Sequence, residues 1–333
     1  MKKTPEYIWF RLWRTKGIGH KAFAFVFNFL QSKSASIMEM TDTTKTKVVS
    51  KFPELKPIIS KLNSKDKNAI IDEYNKVKKA GLTIIHPDSE YYPESFIKYV
   101  EQIGVSPIFF CKGDPSILKT GSIAVVGSRS VSKEGQMITK DIAAKLTKSG
   151  KNIVSGYAKG VDTSAHIGAL EAGGTTTLVL SYGINEFKIK REFRDYNFKN
   201  DVLVVTQFMP GEKWMAHRAM ARNKLICALS EAVIVIESGP ERDERGRMSG
   251  TFDTAKTALK LGDRLFVLSS SALKNNSRGN NDIIKIGGQE IFPDDVPDVV
   301  LKGILRVKEE PGEKEFSQLD LNFGEMVAVE RTA

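Results

Sequence analysis

The sequence predicts an α/β fold: a doubly wound, mainly parallel sheet with a small helical N-terminal domain. Three observations carry that expectation. From residue 122 onward, short apolar runs recur: "IAVVG" (123–127), "NIVSG" (152–156), "TTLVLSYG" (176–183), "DVLVVTQF" (201–208), "EAVIVIESG" (231–239) and "RLFVLSS" (264–270). These runs are continuous in Val, Ile and Leu rather than alternating, which suits strands covered on both faces. Helical patterns over 134–149, 161–172, 216–229 and 252–261 separate most of them, and strands alternating with helices favour parallel pairing.

The N-terminal part reads differently. Residues 5–36 place Ile8, Leu12, Phe23, Phe25, Val26 and Phe29 at helical spacing around "KGIGHKAF". A Gly-x-Gly turn between two short helices fits either an ordinary helical connection or a helix-hairpin-helix whose turn amides meet a phosphate. Residues 40–80 are rich in Lys, Ser and Asp and read as small polar helices. "GLTIIHPDSEYYPESF" (81–96) predicts a short strand and a Pro-bounded turn, and "SPIFFCKGD" (106–114) a second strand with a turn. The expected division is a helical domain over 1–80, the sheet domain over 81–305 and an acidic, flexible tail over 306–333.

Charge narrows the class of partner. The chain of 333 residues carries a net charge of +10. From Lys308 to Ala333 there are seven acidic residues against three basic ones, leaving 47 basic and 33 acidic residues, a net of +14, on the rest. A basic solvated surface is one reading; a polyanionic partner, nucleic acid above all, is the other. The two cysteines, Cys111 and Cys227, and the four histidines are too scattered for a disulfide framework or a metal centre. The charged start "MKKTPEYIWF" and the lack of any long apolar run predict a cytoplasmic protein with no membrane segment.

In doubly wound sheets ligands gather at the carboxyl ends of strands, so the strand-end loops are the candidate site. "GSRS" (127–130) joins Gly127, which admits close backbone approach, to Ser128 and to Arg129, whose forked guanidinium matches phosphate oxygens. Neither G-x-G-x-x-G nor G-x-x-x-x-G-K-[ST] occurs, which removes the main support for a dinucleotide cofactor or a P-loop. "SGYAKGVDTSAH" (155–166) supplies Ser155, Gly156, Lys159 and Gly160 as a second anion-binding edge, with Asp162 expected as an N-cap and His166 as a packed histidine. "MAHRAMARNKLICALSE" (215–231) puts Arg218 and Arg222 one turn apart beside Asn223 and Lys224, opposite Met220, Leu225, Ile226 and Leu229. "RMSGTFDTAKTAL" (247–259) opens a helix with Ser249 and Gly250, after the charged turn "GPERDERGR" (239–247).

Taken in this order, "GSR", "SGYAKGVDTSAHIGALEAGG", "ARNKLICALSEAVIVIESG", "SGTFDTAKTAL" and "RGNNDIIKIGG" resemble the DprA/Smf family of DNA-processing proteins over residues 122–290. "YYPESF" followed by "PIFFCKGD" is similar to that family's lead-in. The resemblance implies a Rossmann-like sheet and binding of single-stranded DNA without sequence preference. It also implies a homodimer and transfer of the strand to a RecA-type recombinase during natural transformation. On matching positions, Ser128, Arg129, Gly156, Lys159 and the patch Arg222–Lys224 would hold the DNA backbone. It implies no catalytic residue, cofactor or metal. The chain departs from the family pattern at "TQFMPG" (206–211) and at Ser269-Ser270.

Two other functions share the sheet. A phosphoribohydrolase of the cytokinin-activating kind needs a carboxylate where "MSGTFDTAK" has Thr254 and Ala255, so its acid/base chemistry lacks a group there. A sensor of nucleotide-type ligands would use the same loops to regulate a partner.

Overall fold

The computed structural model describes residues 4–40, 45–62, 66–94, 96–262, 264–273 and 277–309. Among them, nine strands make one sheet: β1 (Thr83–Ile85), β2 (Phe109–Lys112), β3 (Ser122–Val126), β4 (Asn152–Ser155), β5 (Thr176–Val179), β6 (Val202–Thr206), β7 (Ala232–Val235), β8 (Arg264–Leu268) and β9 (Gln289–Ile291). Their order is β1-β2-β6-β5-β4-β3-β7-β8-β9. All pairs from β6 to β9 are parallel, while β2 runs antiparallel to both β1 and β6. The chain therefore winds outward from β3 to β6, then returns to place β7 on the other side of β3.

The continuous apolar runs have the expected cause. Every residue of β3 is buried, and its side chains serve two cores. Ile123 and Val125 face α7 (Lys133–Lys148) and α8 (Val161–Glu171), packing with Ile142, Leu146 and Ala165. Ala124 and Val126 face the opposite layer, with Leu225 and Ile226 of α9 (Ala216–Ala228) and Phe252 and Ala255 of α10 (Gly250–Leu261). The flanking helices α6 (Phe96–Ile103), α11 (Arg278–Lys285) and α12 (Asp298–Glu309) complete these layers.

The N-terminal helices α1 (Pro5–Arg14), α2 (His20–Ser32), α3 (Lys45–Lys51), α4 (Lys56–Leu62) and α5 (Lys67–Lys79) precede β1. They share a core with the β1–β5 side of the sheet: Trp9, Phe10, Leu12 and Phe23 belong to the same cluster as Ile84, Phe110, Leu178 and Val204. The "KGIGH" turn is tied to its own unit, since Lys61 Nζ donates to the Gly17 carbonyl at 2.6 Å and Trp13 stacks edge-on against His20.

One expectation is revised, and other features add to what the sequence predicts. Helices α6 and α11 and strand β9 were not anticipated. The connection from β5 to β6 holds no α-helix among the described residues; residues 180–201 form two short 3-10 turns around an aromatic cluster of Phe187, Phe193 and Phe198. And α12 continues to Glu309, into the segment expected to be a flexible tail; the rest of that tail, 310–333, lies outside the described residues. No described helix is long and apolar enough to cross a membrane.

Candidate functional site

The order of strands reverses at β3, so its carboxyl end and that of β7 form the crevice where ligands bind in such sheets. A cleft of about 480 Å3 opens there. The loop after β3 supplies Gly127, Ser128 and Arg129; the N-terminus of α10 supplies Ser249 and Gly250. A second cleft of about 340 Å3 adjoins it, lined by Tyr157, Lys159, Tyr182, Lys190 and Trp214. Arg129, Ala158 and Arg222 line both, so the two clefts meet over one pair of guanidinium groups.

These cations differ in kind. Arg129 and Lys159 are exposed, and neither has a hydrogen bond or ion pair to a described residue. They are free to neutralise an incoming anion. Arg222 is only 7% exposed. Its Nη1 donates to the Val179 carbonyl at 2.9 Å, while its buried Nε has no hydrogen-bond partner. Burial pushes its pKa down, partly offset by the Asp162 carboxylate. A buried guanidinium with an unused donor between two clefts is a group waiting for an acceptor.

The chain after β4 is shaped around that group. A Cβ at Gly156 would collide with the guanidinium of Arg222 and the carboxylate of Asp162, so only glycine lets the backbone pass. Gly160 has φ 77° and a Cβ there would strike the Ser128 carbonyl. These glycines draw the first two loops together. Asp162, expected as the N-cap, is instead in the first turn: α8 is capped at Gly160, and the Asp162 carboxylate accepts from the Ala158 N–H at 3.2 Å. It therefore lies beside Arg222 as a counter-charge, where a cap would have faced its own helix.

Other expected site residues serve the scaffold. Ser155 Oγ donates to the Val125 carbonyl at 2.6 Å, stitching β4 to β3. The Gly156 carbonyl is taken by His166 Nε2 at 2.6 Å. His166 is the packed histidine expected of it, fully buried, with Nδ1 2.7 Å from Thr176 Oγ1 and a pKa lowered to about 4, chiefly by burial. Asn223 bridges α9 to α10 through the Gly250 carbonyl at 3.2 Å and Asp253 at 3.1 Å. Burial raises the Asp253 carboxyl above its ordinary range. Arg218 turns away, pairing with Glu212 at 2.8 Å and lying over the Phe208 ring. Lys224 lines neither cleft. Ser249 is the N-cap of α10, accepting from Phe252 N–H at 3.4 Å, and lines the first cleft with Gly250.

Sequence reasoning missed Tyr182, Lys190 and Trp214, and Asp243 and Arg247, which line the first cleft as an ion pair at 2.7 Å. Tyr182 and Lys190 lie in the irregular 180–201 connection, where no periodicity points to them. Trp214 is the stronger signal: an aromatic 53% exposed at the mouth of a cationic cleft. Lys190 sits over the Tyr157 ring at 4.1 Å and donates to the Ala158 carbonyl at 2.9 Å; its pKa is lowered, chiefly by burial. Adjacent cations and aromatic faces can neutralise a phosphate and stack a flat ring within one nucleotide's length.

The fold and the loops have close counterparts. Residues 83–300 match the family described as DNA recombination-mediator protein A. The chain is 35% identical to the DNA processing protein DprA of Streptococcus pneumoniae over 184 residues, 55% of this chain and 62% of that one. It is 30% identical to protein Smf of Escherichia coli over 206 residues, 61% of this chain and 52% of that one. It thus spans between half and two thirds of these relatives' lengths. The crystal structure of DprA from S. pneumoniae superposes with a TM-score of 0.63 and 26% identity, covering 89% of this chain and 98% of that one. A Helicobacter pylori DNA processing protein A, solved for its single-stranded DNA binding mode, matches with a TM-score of 0.55 and 25% identity, over 67% of this chain and 96% of that one.

Proposed function

The chain belongs to the DNA recombination-mediator protein A family, and on that premise we propose that it binds single-stranded DNA without base preference. One observation carries the reading: two adjoining clefts share Arg129 and the buried Arg222, and the second adds the free Lys159 and three aromatic rings, Tyr157, Tyr182 and Trp214. A single nucleotide needs one phosphate site. Consecutive phosphate-sized sites with an aromatic platform beside them suit a polymer whose bases are unpaired. The loops offer side chains for phosphates and ring faces, not a set of donors and acceptors matched to one base edge, so the strand is read by its backbone.

The reading extends to the protein's setting. The strand is protected in the cytoplasm and passed to a RecA-type recombinase, and the protein works as a homodimer, as the resemblance implies. The helical unit over 1–80 and the sheet unit over 81–305 are its two domains. It acts by binding and not by catalysis: Thr254, whose hydroxyl donates to the Gly250 carbonyl at 2.8 Å, and the buried Ala255 stand on α10 where a hydrolase would need a carboxylate.

Fluorescence anisotropy with labelled oligo-dT, competed by free nucleotides and paired with an assay for base release, tests this. Oligo-dT is expected to bind tightly, mononucleotides weakly, and no base to be released. Equal affinity for a dinucleotide and a 20-mer would overturn the reading in favour of a nucleotide sensor, and base release in favour of a hydrolase.

A further inference from the structure

A third groove, of about 650 Å3, lies between the C-terminal half of α5 and the loop after β6, with Glu73, Lys76, Lys79 and Glu212 on its walls. Its charges are not equivalent. Glu73 is held by both Nε and Nη2 of Arg14, at 2.7 and 2.9 Å. Glu212 is held by Arg218 at 2.8 Å. Lys78, on the same helix, pairs with Glu6 at 3.2 Å. Lys76 and Lys79 are exposed, and neither side chain has a hydrogen bond or ion pair to a described residue. Both carboxylates are thus spoken for within the fold, and the uncompensated charge of the groove is positive.

The groove also lies close to the second cleft. Glu212 lines the groove and Trp214 lines the cleft. Two residues apart, their Cα atoms are separated by no more than about 7 Å. The intervening segment is pinned, because Arg218 bonds to Glu212 and also donates to the Lys213 carbonyl at 2.5 Å. A polyanion leaving the second cleft past Trp214 therefore meets a fixed loop and, beyond it, two free ammonium groups.

We propose that the single strand bound in the two clefts continues over the 209–214 loop into this groove, where Lys76 and Lys79 of the helical N-terminal unit hold its phosphates. The occupant is the backbone of the same strand, recognised by charge and by continuity with the site. The proposal rests on the single-strand reading above. It gives the helical unit a direct part in DNA binding and makes the footprint longer than the clefts alone.

The test compares the full-length protein with a Lys76→Ala/Lys79→Ala variant on dT6 and dT20. Both side chains are exposed, so the variant's thermal melt is expected to match the wild type. Affinity for dT20 is expected to fall about tenfold at low salt, and the slope of log K against log salt to become shallower by about 1.4, two contacts at about 0.7 each. Affinity for dT6, which the clefts alone accommodate, is expected to stay the same. Unchanged dT20 binding, or an equal loss on both lengths, would overturn the proposal. A wild-type protein that binds neither length overturns the single-strand reading itself, and this extension with it.

Discussion

The guanidinium of Arg222 donates to the main-chain carbonyl of Val179 at 2.9 Å, and this bond fixes a cation at the carboxyl end of the sheet before any ligand arrives. Its neighbour Arg129 is exposed and unpaired. The two therefore contribute differently to one site: Arg222 is preorganised and also part of the core, whereas Arg129 is ordered only by the ligand.

That difference can be measured. Arg129→Ala should weaken oligo-dT binding by about 1.5–3 kcal/mol, the usual worth of a bond to a charged group, with an unchanged thermal melt. Arg222→Lys should lose a similar amount of affinity and also lower the melt. An ammonium cannot keep the bond to Val179 and still present the second donor of a planar fork. Anisotropy and calorimetry on both variants check this; an Arg222→Lys protein with native affinity would deny the buried guanidinium its role.

Trp214 should act through its ring. Trp214→Ala is expected to cost about 1–3 kcal/mol of affinity for oligo-dT, Trp214→Phe much less. On a strand of abasic spacers the two variants should bind like the wild type, because no base is left to stack. Equal losses on the normal and abasic strands would mean that the residue only shapes its loop.

His166 makes stability depend on pH. Gly156 O can only accept, so Nε2 carries the hydrogen; the Thr176 hydroxyl lies 2.7 Å from both Nδ1 and the Ile153 carbonyl and has one hydrogen to give between them. With its pKa lowered from 6.5 to about 4, the folded protein takes up this proton later than the unfolded chain. The stability it confers is full above pH 6.5 and declines as pH falls toward 4, by about 3 kcal/mol in total. Denaturant unfolding of wild type and His166→Gln at pH 7 and pH 4.5 checks this. The wild type should lose more on acidification, and parallel losses would contradict it.

The sheet was readable because parallel strands buried on both faces leave uninterrupted apolar runs, as in β3 and β7. β9 left no such trace: Gln289 and Glu290 are exposed and only Ile291 is buried. At the site, loops directly after strands could be located from sequence alone, and Gly127, Ser128, Arg129 and Lys159 line the two clefts. The spacing of "HRAMARNK" could not say which cation faces the clefts. Packing decided it, burying Arg222 and Asn223, turning Arg218 to Glu212 and leaving Lys224 outside. Tyr182 and Lys190 arrive by an irregular connection, and a chain without period leaves no signal of what it brings together.

The central claim is that the phosphates at "GSRS" belong to a DNA backbone, and the salt dependence of oligo-dT binding tests it most directly. If Arg129, Lys159 and Arg222 neutralise about three phosphates, log K should fall linearly with log salt, with a slope near −2 on a strand that fills only the two clefts. Lys159→Ala should make the slope shallower by a little under one unit. A flat salt dependence, or tight binding of a free nucleoside monophosphate in place of the strand, would contradict the account.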